Sequence, residues 1–387
     1  MNYIMVLQIV LIISFGIQFM LHLTRPSLTL FASELGASMM EIGLLTSMYA
    51  FFPLLFAISA GKIADRIGDR LPILLGLIAV SAGLGLPYLY QSMWSLYASQ
   101  MIVGLGHIFI LVSVQNVLGH AATRETRDHY FGLFTTVTAM SQFIAPVLGG
   151  YIAEYTTYAF PFLIAAVIGC IPVIAAFRVP VILGQREAVP AQSDTGSLQL
   201  LKNPILRKAM VGSALVLYSR DIFIAYFPLY ASRIDISDSS IGWIVALQSL
   251  AMVPVRFYLS KLSQGLGRER LLVWSILIAG AAFLCIPLTS NVLILMLLSI
   301  VMGAGLGVGQ PLSMTTIYNA SPKSKTGEVL GLRLAINRGT QLGAPFLFGA
   351  VGSAAGLISV FVVSGVLLVG GALYTRAKPD EMNQTDA

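Results

Sequence analysis

The sequence predicts an all-α integral membrane protein whose twelve transmembrane helices form two pseudo-symmetric six-helix bundles. Of its 387 residues, 57% are hydrophobic and only 10% are charged, and the mean hydropathy is +0.83. A soluble protein of this length needs more charge to cover its surface. Two further observations support the prediction: the placement of the basic residues and an internal repeat.

Apolar stretches recur about a dozen times, each close to the ~20 residues that a helix needs to cross a bilayer. The first contains Arg25 and Pro26, which predict a tilt, a kink or a partial break. It starts without a preceding base or a following cleavage site, so we expect a transmembrane helix rather than a signal peptide. The predicted helices are 5–33, 38–60, 72–91, 94–119, 130–153, 158–178, 207–232, 239–262, 271–289, 292–319, 328–351 and 355–375.

The basic residues are segregated. Of the 23 Lys and Arg residues, 17 lie in one alternate set of gaps between the stretches, Arg233 alone lies in the other set, and five lie inside the stretches. Because basic residues stay on the cytoplasmic side, this pattern predicts a multi-pass protein of the plasma membrane with both termini in the cytoplasm. The formal net charge of +6 is explained by these loops, so we expect no nucleic-acid binding.

The chain repeats itself at a constant offset of 199 residues. The predicted units are an N-terminal bundle (1–178), a cytoplasmic linker (179–206), a C-terminal bundle (207–376) and a cytoplasmic tail (377–387). Since each unit has an even number of helices, the repeats are parallel, as in two bundles rocking about an axis along the membrane normal. We expect a monomer. The matched residues are Gly43 with Gly242, Gly61 with Ser260, Gly68 with Gly267, Gly104 with Gly303, Gly106 with Gly305, Gly132 with Gly331, Gln142 with Gln341, Ala145 with Ala344, Pro146 with Pro345, and Gly150 with Gly349.

The first cytoplasmic loop reads GKIADRIGDR (61–70) and resembles the loop signature of the major facilitator superfamily. The resemblance implies that the Asp65 carboxylate lies near the N-terminus of the helix predicted at 328–351. Helix N-termini stabilise carboxylates, so this contact would steady the outward-facing state. The alternative is a solvated positive-inside loop. The second repeat has Ser260 and Gln264 where Gly61 and Asp65 stand, so we expect it to lack the equivalent carboxylate contact. The matching residues are Gly61, Asp65, Arg66, Gly68 and Arg70.

The helix predicted at 130–153 contains GLFTTVTAMSQFIAPVLGG (132–150), which resembles the Gly-Pro motif of proton-driven exporters in this superfamily. Small residues let helices approach closely, and proline bends them. Ser141 and Ala145 stand where the motif prefers glycine. The exporters' membrane arginine would fall at Gln100, so its proton-coupling role cannot be transferred. The matching residues, to which we assign a conformational role, are Gly132, Pro146, Gly149 and Gly150.

Five bases and one acid, Asp221, lie inside predicted helices, where each costs ~2.5–3.5 kcal/mol near the bilayer centre. We expect them to face a wet cavity or a partner, and the positive surplus would attract carboxylates or other anions. Arg256 and Arg333 could instead reach the cytoplasmic headgroups. The predicted substrate-binding residues are Arg25, Arg220, Arg256, Arg333, Arg338, Asn337, Gln115 and Gln341.

Proton coupling needs a group whose charge changes during transport. Asp221 is the first candidate, because a neighbouring arginine and changing hydration would alter its protonation. His107 is the alternative, although a membrane histidine can equally be a packing residue. Cys170 and Cys285 have no metal-ligand neighbours, so we expect no metal and no cofactor.

These observations predict a secondary transporter that works by alternating access and exports a small organic molecule in exchange for protons. An anionic or zwitterionic cargo is expected, such as a metallophore, an acidic metabolite or an amphipathic drug. The alternative is a proton-symport importer of an organic anion. An enzyme or a receptor is disfavoured, because the sequence has neither a catalytic constellation at membrane depth nor an appended domain. The expected partners are the cargo, protons and the lipid bilayer.

Overall fold

The computed structural model describes residues 3–122, 126–180, 202–321 and 326–376, and it is built of α-helices. A 3₁₀ turn, Ile286–Leu288, follows α11. The helices are α1 (Tyr3–Glu34), α2 (Met39–Ile67), α3 (Arg70–Leu89), α4 (Met93–Ala121), α5 (Arg127–Tyr155), α6 (Phe160–Ile168), α7 (Cys170–Ala176), α8 (Pro204–Arg233), α9 (Asp238–Phe257), α10 (Leu259–Leu266), α11 (Arg268–Cys285), α12 (Val292–Ala320), α13 (Thr326–Ala355) and α14 (Leu357–Thr375).

The predicted fold class is confirmed. Ten helices of the described chain are long and apolar enough to cross a membrane, and α6 with α7 forms a shorter apolar rod, Phe160–Ala176. Helix α13, with 30 residues, completes the twelve and carries two of the membrane arginines. The single helix predicted at 158–178 is interrupted at Gly169 because Pro172 has no N–H to donate one turn back. Helix α1 continues through Pro26, so the partial break considered there does not occur.

Local signals fix the helix starts, and the repeat reproduces them. Ser38 caps α2 by accepting the Glu41 amide at 3.3 Å, and Ser237 caps α9 in the same way. Ser92 and Asn291 cap α4 and α12. Both pairs are 199 residues apart. The side-chain oxygens satisfy amides that have no partner inside the helix.

The turn after α2 and the turn after α10 also correspond. Gly68 has a φ of 81° and Gly267 a φ of 79°, a left-handed conformation that glycine adopts without strain. These residues, separated by the same 199 positions, are the glycines that the sequence matched. The repeat is therefore a repeat of backbone geometry as well as of residue types.

The two halves of the molecule meet along two pairs of helices, α2 with α13 and α5 with α9. Gly43 of α2 lies against the Pro345 carbonyl and the Gly349 backbone of α13. Gly242 of α9 lies in the equivalent way against the backbone of the Gly-Pro motif in α5. Glycine lets the backbones approach this closely, because a side chain at either position would overlap the facing helix.

Each half also caps a helix of the other. The Ser353 hydroxyl accepts a hydrogen bond from the Met40 amide at 3.0 Å, at the start of α2. The Glu154 carboxylate accepts one from the Ser239 amide at 2.8 Å, at the start of α9. These two bonds are related by the repeat offset. We call this end of the molecule, which carries the loops 35–38 and 234–237, the sealed end.

A tyrosine in the loop after α5 adds to the sealed end. Tyr158 is hydrogen-bonded to the Asp238 carboxylate of the other half. Burial and this neighbouring carboxylate raise the pKa of Tyr158 to about 12. The phenol therefore stays protonated and donates at any physiological pH.

The opposite end carries the described chain's start at Tyr3 and its finish at Arg376. Among the described residues, nothing outside the helix itself lies within 4 Å of the position that a Cβ would take at Gly132 in α5 or at Gly339 and Gly343 in α13. Helices that touch through glycine backbones at the sealed end thus have space around them farther along. We infer that the cleft between the halves opens at this end, which we call the open end.

Candidate functional site

A cavity lies between the two halves, with about 540 Å³ of empty space, part of it open to solvent. Helices α1, α2 and α4 line one side, and α8 and α13 line the other. Arg25 and Asp221 are the charged residues among the described lining residues, and they come from opposite halves. The lining consists of Arg25, Leu28, Thr29, Thr46, Tyr49, Ala50, Gln100, Asp221, Ile224, Ala225, Gln341 and Pro345.

The basic side of the cavity is built by three helices. The Arg25 guanidinium of α1 lies over the ring of Tyr49 in α2, 5.5 Å from its centroid. The Tyr49 hydroxyl is hydrogen-bonded to Nδ1 of His107 in α4, at 2.7 Å. His107 is buried behind the tyrosine. A cation over an aromatic face is stabilised by the ring quadrupole, so Tyr49 is a favourable support for Arg25.

The acidic side belongs to α8, where neighbouring residues point in different directions. Asp221 lines the cavity. Arg220 instead reaches across to the other half and donates from Nη2 to the Gln142 amide oxygen in α5, at 2.7 Å. Its Nε is buried without a hydrogen-bond partner among the described residues. Arg220 thus joins the halves, while Asp221 is placed to meet a ligand.

The equivalent glutamine of the second half makes a similar contact. Arg338 donates from Nη1 to the Gln341 amide oxygen at 2.8 Å, and Gln341 lines the cavity. Gln142 and Gln341 are a repeat pair, and each accepts a hydrogen bond from an arginine. Arg338 therefore contacts a residue that lines the cavity but is not itself among the described lining residues.

Arg333 is placed differently from the prediction. Its Nη2 donates to the Gln310 amide oxygen at 2.7 Å. Gln310 donates to the Ser213 carbonyl, and the Ser213 hydroxyl is bonded to Asn337. These contacts join α13, α12 and α8 within one half, and neither Arg333 nor Asn337 is among the lining residues of the cavity. Arg333 Nη2 and the Asn337 amide oxygen take part in this network, whereas Arg333 Nε is buried without a hydrogen-bond partner among the described residues.

Two more predicted substrate contacts also lie off the cavity wall. Arg256 is exposed and donates from Nε to the Gly307 carbonyl of α12 at 3.3 Å. Gln115 is exposed and is absent from the described lining. Its neighbour Asn116 donates instead to both oxygens of Asp69, at 3.1 and 2.9 Å.

Among the described side chains of the loop signature, the acid Asp69 has a fixed position. Asp69 is fully buried at the start of α3, where Asn116 of α4 holds it. Arg66 is exposed and Arg70 is half-buried. The side chains of Asp65 and of residues 326–328, at the start of α13, lie outside the described side chains, so the predicted contact of the Asp65 carboxylate with α13 stays a prediction.

The Gly-Pro motif serves two neighbours of α5 at once. Gly149 lies against the Leu23 carbonyl of α1, and Gly150 lies against the Asp238 carbonyl of α9. The Pro146 carbonyl faces Gly242. Ser141, which replaces a motif glycine, is buried and donates to the Phe15 carbonyl at 3.1 Å. The motif therefore holds the bundle together on one face and seals the two halves on the other.

Sequence reasoning missed His22 and Tyr49. His22 lies three residues before Arg25, hence on the same face of α1. It is buried, and Nδ1 contacts the Gln18 carbonyl at 2.8 Å, whereas Nε2 has no partner among the described residues. The spacing to Arg25 was an available signal. Tyr49 gave none, because one aromatic residue in an apolar stretch is typical of packing.

Comparisons with known proteins agree with this architecture. The profile of the Major Facilitator Superfamily matches residues 10–230 and 209–387. An uncharacterized transporter of this type from Methanocaldococcus jannaschii is 23% identical over 91% of this chain and 92% of its own length. The quinolone resistance protein NorA of Staphylococcus aureus is 21% identical over 93% of this chain and 95% of its own.

Solved structures with low sequence identity share the fold. The nucleoside transporter NupG has a TM-score of 0.81 at 12% identity, covering 97% of this chain and 99% of that one. A bacterial homolog of the human lysosomal transporter Spinster, in an inward-facing and unoccupied conformation, has a TM-score of 0.79 at 16% identity, covering 97% and 98%. The chain belongs to the Major Facilitator Superfamily and is a multi-pass membrane transporter rather than an enzyme.

Proposed function

We propose that the protein is a proton-coupled antiporter of the plasma membrane that exports a small organic molecule of anionic or zwitterionic character. The observation that carries this proposal is the cavity in which Arg25 and Asp221 face the same space from opposite halves. A molecule with an acidic and a basic group can meet both charges. The same contacts would sense the relative position of the halves, which is what alternating access requires.

The distribution of basic loops supports the direction. It favours a cytoplasmic location of the open end, and in that orientation the cavity would receive cargo from inside the cell. The sealed end, with its glycine contacts and reciprocal caps, would then face outward and part in the second conformation. The Gly-Pro motif of α5 lies at this contact, which agrees with its resemblance to the motif of exporters.

Asp221 supports proton exchange. A cationic group of the cargo is stabilised next to an ionised carboxylate and loses that partner when the carboxylate is protonated, so proton and cargo compete. Each proton that enters down the membrane potential supplies ~2.3 kcal/mol per 100 mV. His107 is the second candidate for the coupling residue, since its ring is buried beside the cavity wall.

The curated relatives support a cargo of drug-like size. NorA is named a quinolone resistance protein, and it matches this chain over nearly its whole length at 21% identity. Quinolones combine a flat apolar body with a carboxylate. The cavity offers a comparable mixture, with one base, one acid, amides, hydroxyls and the apolar residues Leu28 and Ile224. An amphipathic drug, an acidic metabolite and a metallophore remain the cargo classes to compare.

The experiment has two stages. Metabolites in medium and cells are first compared with and without the protein, and cargo flux is then measured in inside-out vesicles with an acidified lumen. We expect accumulation that Asp221→Asn and Arg25→Met each abolish at normal expression. Asp235→Asn and Arg233→Gln, which change exposed charges at and just beyond the end of α8, are the matched controls and should transport normally. Uptake that requires the opposite gradient would instead identify a proton-symport importer.

A further inference from the structure

The cavity also specifies how a cargo is oriented, an inference that rests on the proposed function. We propose that Tyr49 and His107 are positioning residues that hold Arg25 as a receptor for a carboxylate. The cargo then binds with its acidic group on the α1–α2 side and its basic group at Asp221. Its apolar body lies between them against Leu28 and Ile224.

Tyr49 supports the Arg25 guanidinium. Its carbon lies 5.5 Å from the centre of the Tyr49 ring, over the aromatic face. The guanidinium is also hydrogen-bonded to the Tyr49 hydroxyl, and because an arginine carries five N–H donors, others stay available for a ligand. Two parallel N–H groups match the two oxygens of a carboxylate, a geometry that a lysine ammonium does not offer. Tyr49 therefore holds the cation through its ring and its hydroxyl, and the guanidinium keeps further N–H donors for a carboxylate.

Tyr49 is itself held in place by residues of α4. Its hydroxyl is bonded to His107 Nδ1 at 2.7 Å, and the two rings lie 5.8 Å apart. Its backbone carbonyl lies against Gly104 of α4, where a Cβ would overlap it. Tyr49 is thus held at both ends, by its backbone and by its hydroxyl. A fixed ring keeps the guanidinium in one orientation, which lowers the entropy that binding would otherwise cost.

The other ring nitrogen of His107 has a different environment. Nε2 is buried without a hydrogen-bond partner among the described residues. His107 also lines a second cavity, inside the N-terminal half, with Ser14, Gln18 and Thr138. This cavity has about 250 Å³ of empty space, part of it open to solvent, and the rest of its described lining is apolar. His107 therefore lies between the two cavities and supports the wall of the first.

The charges of the cavity give the orientation its direction. Arg25 and Asp221 are the charged groups among the described lining residues, and they stand on opposite walls. Gln100, Thr29 and Thr46 add neutral hydrogen-bonding groups on the Arg25 side. A reversed cargo would place like charges together at both ends, which costs free energy instead of gaining it.

The test is equilibrium binding to the purified full-length protein in detergent at pH 7, without a proton gradient. Three probes share related ring systems: norfloxacin carries a carboxylate and a basic amine, nalidixic acid carries the carboxylate alone, and phenylpiperazine carries the amine alone. Titration calorimetry compares wild type with Tyr49→Phe, His107→Leu, His107→Asn and Asp221→Asn. Thermal unfolding of each variant confirms that it is folded.

Tyr49→Phe keeps the ring and removes the hydroxyl's hydrogen bonds to His107 and Arg25. We expect it to weaken both carboxylate probes by about three- to tenfold, the range of a lost hydrogen bond, and to leave phenylpiperazine unchanged. His107→Leu should act alike, and His107→Asn, which can still pair with the hydroxyl, should recover part of the affinity. Asp221→Asn should show the opposite selectivity and weaken the two amine probes.

Three results would overturn the proposal. The first is an equal loss for all three probes in Tyr49→Phe, which indicates general damage to the cavity. The second is unchanged affinity for nalidixic acid in both Tyr49→Phe and His107→Leu. The third is a wild type that binds neither carboxylate probe up to millimolar concentration. Because binding is measured without transport, the absence of proton exchange in vesicles would refute the proposed function and leave this inference standing.

Discussion

Replacing Gly43 or Gly242 with alanine would test whether the close helix contacts keep one end of the transporter shut. The two glycines are related by the repeat and occupy equivalent places, in α2 against α13 and in α9 against α5. If alternating access works by parting these contacts, one added methyl group should shift the conformational equilibrium toward the state in which they are apart.

The magnitude follows from the space available. A Cβ at position 43 would lie 2.8 Å from the Tyr226 hydroxyl and 3.0 Å from the Gly349 Cα, and closer still to the Pro345 carbonyl. Tyr226 cannot yield easily, because it is fully buried and bonded to that carbonyl at 2.7 Å. Overpacking of this kind typically costs about 1–3 kcal/mol. Since the strain exists only in the sealed state, the population ratio should change by about 5- to 150-fold.

The assay is a distance distribution between two spin labels at the sealed end. Thr157→Cys and Ser290→Cys carry the labels, one on each half, in a protein whose Cys170 and Cys285 are replaced by alanine. We expect Gly43→Ala to transfer population to the longer distance, and Gly242→Ala to do the same.

Gly132→Ala is the matched control, because no other atom lies within 4 Å of the position that its added methyl group would take. A distance distribution for Gly43→Ala that matches this control would refute the reasoning. If Gly43→Ala and Gly132→Ala both lengthened the distance equally, the effect would come from any added methyl group and not from the sealed contact.

The other predictions concern contacts around the cavity. Removing both reciprocal caps with Glu154→Ala and Ser353→Ala should lengthen the same label distance, but less than Gly43→Ala does, because these groups are exposed and solvent replaces them. An unchanged distance would show that the caps do not stabilise the sealed end. Asp69→Ala should cost about 1–3 kcal/mol of stability by leaving the half-buried Asn116 amide without its carboxylate, seen as a lower melting temperature that Asp69→Asn partly restores. Arg333→Met should lower the melting temperature and leave norfloxacin affinity unchanged, whereas lost affinity would make Arg333 a cargo contact.

The helices were predictable from the sequence because their signals are local. Apolar stretches set the spans, and residues such as Ser38 and Ser237 set the starts, so most predicted ends lie within a few residues of the observed ones. The predicted glycine correspondence also agrees with the structure, since Gly68 and Gly267 share a left-handed turn. Interruptions such as the one at Gly169 were not predicted, because a proline within an apolar run does not show whether the helix bends or stops.

The site was predictable only in part, because contacts between helices are not local. Arg25 and Asp221 could be recognised as costly charges within apolar stretches, and both line the cavity. The choice between Arg220 and Asp221 could not be made in advance, since neighbours on a helix point ~100° apart. Nor could Arg333 be paired with Gln310, which lies on another helix. Tyr49 could not be recognised for a different reason: its role depends on its contacts with Arg25 and His107, which lie on other helices.

The repeat separates what moves the protein from what the protein recognises. Positions that shape the backbone keep their residue type across the 199-residue offset, as Gly43 and Gly242 do. The two charged positions of the cavity lining do not: Arg25 corresponds to Ile224, and Asp221 corresponds to His22. Symmetric contacts let either half part from the other in the same way, which rocking about a central axis requires. Asymmetric charges give the cavity a polarity, and under the proposed orientation a molecule with one acidic and one basic end would bind in one direction only.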